Sequence, residues 1–142
     1  MRTRVFSKET FVKAMESRNI TDDTVESLAE FFICIDPTGG PHAQSYFLKP
    51  HYNVIKLVFD DCEQDTTKWG ADIQAFYSAK AMIKAQADEL VSFIKRIPRD
   101  SFVNIYCTKG LSRSVAVESF INGGVHGNKH VLNLLNESWT GK

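Results

Sequence analysis

The chain has 142 residues, 43% of them hydrophobic and 24% charged, which is material for one folded domain and too apolar for a disordered chain. Seventeen Lys and Arg balance seventeen Asp and Glu, so there is no basic surplus to neutralise phosphates and no nucleic-acid partner is expected. The longest unbroken apolar run, Phe31 to Ile35, is far too short to cross a bilayer, and no apolar stretch follows the basic Met1–Arg4 start, so neither a membrane span nor a signal peptide is expected.

In chain order, Arg4 to Phe6 reads as a short strand. Ser7 is placed to cap a helix from Lys8 to about Arg18, and a shorter helix is expected from Asp23 to Ala29. Phe31-Phe-Ile-Cys-Ile35 is a strand that stops at the loop Asp36-Pro-Thr-Gly-Gly-Pro41. Val54 to Phe59 is a strand that stops at Asp60-Asp61. From Asp72 to about Lys95 the apolar residues Ile73, Phe76, Tyr77, Ala79, Ile83, Ala87, Leu90, Val91 and Ile94 recur at three- and four-residue spacing, the mark of one long helix closed by Pro98. Phe102 to Tyr106 is a strand running into Cys107. A helix begins near Ser112 and ends at Gly123-Gly124, and a last one lies around His130 to Leu135. Short apolar strands alternating with helices imply an α/β fold: a single three-layer domain over residues 1–142, with a mostly parallel central sheet flanked by helices. In that architecture ligands sit beyond the carboxyl ends of strands, so the turn after Tyr106 is the first place to look.

That turn is Cys107-Thr-Lys-Gly-Leu-Ser-Arg113-Ser114. Five residues between Cys and Arg can curl so that backbone N–H groups converge on one centre at a helix N-terminus, an anion nest. Gly110 supplies a position where positive φ is easy. Thr108, Lys109, Gly110, Leu111 and Ser112 form the cradle, and Arg113 offers a planar fork for two phosphate oxygens. The field that holds a phosphate dianion also favours a thiolate at Cys107. Such a thiolate is placed for attack on phosphorus, and Ser114 can donate to the sulfur as it leaves again. With three Cys in the chain, the full pattern Cys-x2-Gly-x2-Arg-Ser is expected by chance only about 0.0006 times, so an inert cysteine beside an accidental arginine is the weaker reading.

The loop resembles that of the cysteine-dependent protein phosphatases of the tyrosine and dual-specificity superfamily, His-Cys-x-x-Gly-x-x-Arg-Ser/Thr. The likeness is greatest to their small prokaryotic and viral members, through Val5-Phe-Ser7, Ile35-Asp-Pro37, Phe59-Asp-Asp61 and Asn128-Lys-His-Val131. The match runs from about Arg4 to Leu135. The resemblance implies Cys107 as nucleophile, Arg113 as phosphate-binding arginine, and a general-acid aspartate just past a neighbouring strand, at Asp60 or Asp61, with position favouring Asp61. It implies a phosphomonoester hydrolase working through a cysteinyl phosphate, without cofactor or metal. Its substrate would be a phosphorylated protein, with dual-specificity breadth, or a small phosphomonoester. The chain departs from the family at Tyr106, where the family usually has His. That change sustains an alternative expectation, a low-turnover module that sequesters phosphorylated ligands.

Other residues have plainer readings. Asp65 is a weaker candidate acid. Cys34 sits in an apolar strand as a core residue, and Cys62 reads as a passive loop thiol in reach of a redox role beside Cys107. Three cysteines this far apart make no disulfide framework and suggest a reducing cytoplasm. His126 and His130 have the spacing of one helix face but lack a third metal ligand nearby. Trp69 is a candidate for the substrate mouth or a packing anchor.

Overall fold

A computed structural model of the chain describes residues 1–41, 43–63, 70 and 80–141. Within these lie strands β1 (Arg2–Ser7), β2 (Glu30–Asp36), β3 (Val54–Val58) and β4 (Phe102–Cys107), and helices α1 (Lys8–Ser17), α2 (Lys84–Lys95), α3 (Arg113–Asn122) and α4 (Lys129–Thr140). The strands form one sheet in the order β1-β4-β2-β3, and every neighbouring pair is parallel. No described helix is long and apolar enough to cross a membrane.

The unbroken apolar run of β2 follows from burial on both faces. Phe31, Ile33 and Ile35 point into a core with Ile55, Leu57, Val103, Ile105 and the inner faces of α2, α3 and α4. Phe32 and Cys34 point the other way, against Phe11 and Met15 of α1, with Phe47 and Tyr106. The result is three layers, as the alternation of strands and helices predicts. Phe11 is the centre of the second core, with no exposed surface and its ring in edge or tilted contact with Phe6, Phe32, Tyr46, Phe47 and Tyr106.

Several element boundaries differ from the sequence expectation, each for a local reason. β1 is longer at both ends than Arg4–Phe6, because Arg2 to Ser7 pair residue by residue with Phe102 to Cys107. Between Asp23 and Ala29 only a 3₁₀ turn, Val25–Ser27, is formed. The long helix expected from Asp72 starts at Lys84 within the described residues; its expected part over 72–79 lies outside them. Residues 80–83 are not helical because Lys80 is paired with the end of the β3 segment: Asp60 N–H donates to the Lys80 carbonyl at 2.7 Å, and Lys80 N–H donates to Asp60 Oδ2 at 2.8 Å. Gln86 then starts α2 by accepting the Ile83 N–H at 3.0 Å. The last helix runs on to Thr140, past the apolar period, because Ser138 donates to Asp88 of α2 at 2.6 Å and Trp139 packs on Phe120 of α3.

The chain between β2 and β3 is pinned to the one between α1 and β2 by His51. Its ring, 3% exposed, meets Glu26 Oε2 through Nδ1 and Asp22 Oδ1 through Nε2, each at 2.7 Å. Both partners are acceptors, so the ring holds both protons. Burial pushes the His51 pKa down, but the two carboxylates outweigh it and the folded value lies above the ordinary one. A group raised on folding adds stability that is full below its unfolded pKa, about 6.5, and is lost as pH rises through the folded value. The urea midpoint of the protein is therefore expected to fall as pH is raised above about 6.5, and His51→Gln is expected to remove that fall, measured as midpoint against pH.

Candidate active site

The parallel register brings the carboxyl ends of β1, β4 and β2 side by side. Ser7 pairs with Cys107, and Cys34 with Tyr106. Cys107 closes β4, the strand between β1 and β2, and the loop after it folds back over the end of β1. Gly110 makes this possible twice over. Its φ is +70°, and a Cβ there would lie 2.6 Å from the Ser7 nitrogen and 2.7 Å from the Phe6 carbonyl carbon, closer than any side chain tolerates. The Lys8 N–H donates to the Thr108 carbonyl at 3.2 Å and fixes the loop from the same side.

Cys107 is 2% exposed, and its Sγ lies 3.0 Å from Ser114 Oγ. Burial alone would raise its pKa. The Ser114 hydroxyl, the Ser114 N–H, the Arg113 charge and the Gly110 N–H together outweigh burial and hold the thiol below its ordinary value. Cys34 has the opposite fate: burial first, and then the charge of Asp36, drive its pKa far up. Cys62 is also raised, by burial and then by Asp60 and Asp61. All three thiols are free.

Arg113 opens α3 and is 6% exposed. Its Nη1 donates to the Phe59 carbonyl at 2.7 Å and its Nη2 to Thr108 Oγ1 at 3.2 Å. Its Nε is buried without a partner, an N–H donor at the site with nothing described to receive it. A cavity of about 430 Å³ is lined by Cys107, Thr108, Lys109, Leu111, Ser112 and Arg113 from the loop, by Pro37, Gly39 and Pro41 from the loop after β2, and by Asp61. The expected phosphate-binding residues thus line it, except Gly110, which lies beneath the loop against β1.

The two adjacent aspartates have different places. Asp60 accepts from the Thr38 N–H at 3.1 Å, the Thr38 hydroxyl at 2.6 Å and the Lys80 N–H at 2.8 Å. Burial works against its charge, but these donors and Arg113 hold its pKa low; its carboxylate joins the loop after β2 to the one after β3. Asp61 lines the cavity, and its Oδ1 accepts from Ser112 Oγ at 2.8 Å and from Asn128 Nδ2 at 2.7 Å. Its Oδ2 has no hydrogen bond among the described residues.

Tyr106, the residue before Cys107, turns to the opposite face of the sheet from it. Its hydroxyl donates to the buried Asp36 carboxylate, 2.9 and 3.0 Å from the two oxygens, and Lys8 Nζ donates to Asp36 Oδ1 at 2.6 Å. Burial, and with it the charge of Asp36, pushes the phenol far above its ordinary range, so it stays a donor. Nothing in the sequence marks this group as a unit; Asp36 and Tyr106 are 70 residues apart, and only the sheet brings them together. The sequence likewise carries no local signal that Asn128 and Thr38 hold the two aspartates.

Cys62 is half-buried beside Asp61, its carbonyl bound by Asn128 Nδ2 at 3.1 Å. His126 and His130 do not share a helix face: α4 begins at Lys129, so His126 lies in the preceding loop, and His130 Nε2 meets the Met82 carbonyl at 2.8 Å. No group of three or more His, Cys, Asp or Glu placed to hold a metal occurs among the described residues. Asp65 and Trp69 lie outside those residues.

The thiol environments make a direct prediction. Iodoacetamide is expected to alkylate Cys107 ahead of Cys34 and Cys62, with a rate-against-pH midpoint below the 8.5 or so of a free thiol. Ser114→Ala is expected to move that midpoint to higher pH, as followed by mass spectrometry of the labelled peptides. A midpoint at or above the free-thiol value would show that the loop does not stabilise a thiolate.

No protein-family model, curated protein or solved structure matches the chain.

Proposed function

We propose that the chain is a cysteine-dependent phosphomonoester hydrolase of the tyrosine and dual-specificity type. The observation that carries this reading is the pairing across one cavity of a buried, thiolate-favouring Cys107 with Asp61, over a loop that presents the Arg113 guanidinium. A thiolate is a nucleophile without a separate base. Arg113 and the loop amides are preorganised donors for phosphoryl oxygens, on which charge is spread during transfer.

In the first step the Cys107 sulfur forms a bond to phosphorus as the ester P–O bond breaks. The proton on Asp61 passes to the departing oxygen, which would otherwise leave as a basic anion. In the second step Asp61, now a carboxylate, takes a proton from water as the water oxygen attacks phosphorus. The S–P bond breaks, and the returning thiolate is received by the Ser114 hydroxyl and N–H. Phosphate and alcohol are released, and both side chains return to their starting states. Phosphorylated protein side chains and small phosphomonoesters fit this chemistry, in a reducing cytoplasm that keeps the thiol intact.

A second reading, a phosphate-binding module with little turnover, draws on Tyr106, whose hydroxyl serves Asp36 rather than the sulfur side of the sheet. Hydrolysis of p-nitrophenyl phosphate separates the two. The parent protein is expected to turn over and to be inhibited by vanadate; Cys107→Ser is expected to lose at least about a thousandfold in kcat while still binding vanadate. Vanadate binding without turnover by the parent would favour the module.

The two aspartates give an independent check. Asp61→Asn is expected to lower kcat/KM for phenyl phosphate by about 10²–10⁴ and to affect p-nitrophenyl phosphate, with its more acidic leaving group, far less. Asp60→Asn is expected to lose similar amounts on both esters, since it loosens the loops without removing the acid. The reverse pattern would transfer the role to Asp60.

A further inference from the structure

We propose that Asn128 is a positioning residue for the acid, holding Asp61 in register with the phosphate loop; this rests on the hydrolase reading above. Asn128 is wholly buried. Its side-chain oxygen caps α4, accepting the Val131 N–H at 3.0 Å. Serine or threonine would do that equally well. What asparagine adds is an amide donor, and both of its bonds go to the acid segment: Asp61 Oδ1 at 2.7 Å and the Cys62 carbonyl at 3.1 Å.

The other side of the clamp is the phosphate loop itself. The Asn128 N–H donates at 3.1 Å to the Ser112 carbonyl, which also accepts the Ala116 N–H at 2.9 Å in the first turn of α3. The approach is made by Gly127, at φ +89°, where a Cβ would lie 2.3 Å from the Ala116 nitrogen; only glycine lets the chain come this close. Ser112 Oγ adds a second donor to the same Asp61 oxygen, at 2.8 Å. Both bonds fall on Oδ1. The carboxyl group is thereby anchored by one oxygen, and the proton is left to Oδ2.

The test uses variants that keep the cap and remove the amide. Asn128→Ser is expected to lower kcat/KM for phenyl phosphate about 10- to 100-fold and for p-nitrophenyl phosphate by less than about threefold, because a misplaced acid hurts most when the leaving group is basic. In an Asp61→Asn background the same change is expected to add no further loss on phenyl phosphate, since the residue it positions is already gone. Equal losses on the two esters, or full additivity with Asp61→Asn, would show a structural cap only and overturn the proposal. Asn128→Thr, with the same two measurements, decides the matter if the serine variant does not fold; failure of both to fold would also overturn it. A parent protein that hydrolyses neither ester would remove the hydrolase reading and this role with it, whereas an active parent with ester-independent losses removes this role alone.

Discussion

A thiol buried to 2% exposure can favour its anion only if donors offset a surrounding that disfavours ions, and much of the architecture around Cys107 answers that constraint. Burial alone would protonate the sulfur and make it inert, as it does at Cys34. What separates the two cysteines is the supply of donors. Cys34 lies mid-strand, where backbone N–H groups are committed to the sheet. Cys107 lies where β4 ends and α3 begins, so loop and helix-start amides can turn inward, together with Ser114 and the Arg113 charge. The loop reaches that shape only because Gly110 can lie against the end of β1. The ionisation of Cys107 is thus tied to how β1 and β4 pair.

Three carboxylates close to this centre carry three separate tasks, set by their donors. Asp36 is the most buried, and shares its charge with Lys8 and the Tyr106 hydroxyl across the α1 face. Asp60 is saturated by Thr38 and Lys80 and joins two loops. Asp61 alone lines the cavity with one oxygen held and one open. A carboxylate loaded with donors resists protonation and makes a good strut; a proton-transfer group must keep an oxygen for the proton. Sequence adjacency therefore says little about shared role, since extended residues face alternate ways.

The α3 start is where these arrangements meet. Arg113 reaches back to the Phe59 carbonyl at 2.7 Å, Ser112 touches Asp61, and Asn128 ties the same turn to α4. The loop from Cys107 to Ser114, the Asp60–Cys62 segment and the last helix thus form one hydrogen-bonded unit, and it is this rigidity that would hold reacting groups at a fixed separation in the proposed hydrolase.

The sequence by itself determined the α/β class, the strands at Phe31, Val54 and Phe102, the capping Ser7, and the loop from Cys107 to Ser114. Those features are local: apolar runs, cap residues and a fixed Cys–Arg spacing operate within a few residues of chain. Only the tertiary structure decided that the long helical period is broken before Lys84, because the competing partner of Lys80 is Asp60, twenty residues away. It alone gave Asp60 and Asp61 their different donors, set Tyr106 on Asp36, and gave Asn128 its second partner. Each of those outcomes depends on a hydrogen bond between groups distant in sequence, and such a bond leaves no periodic trace along the chain; it exists only once parallel pairing has brought the strand ends into register.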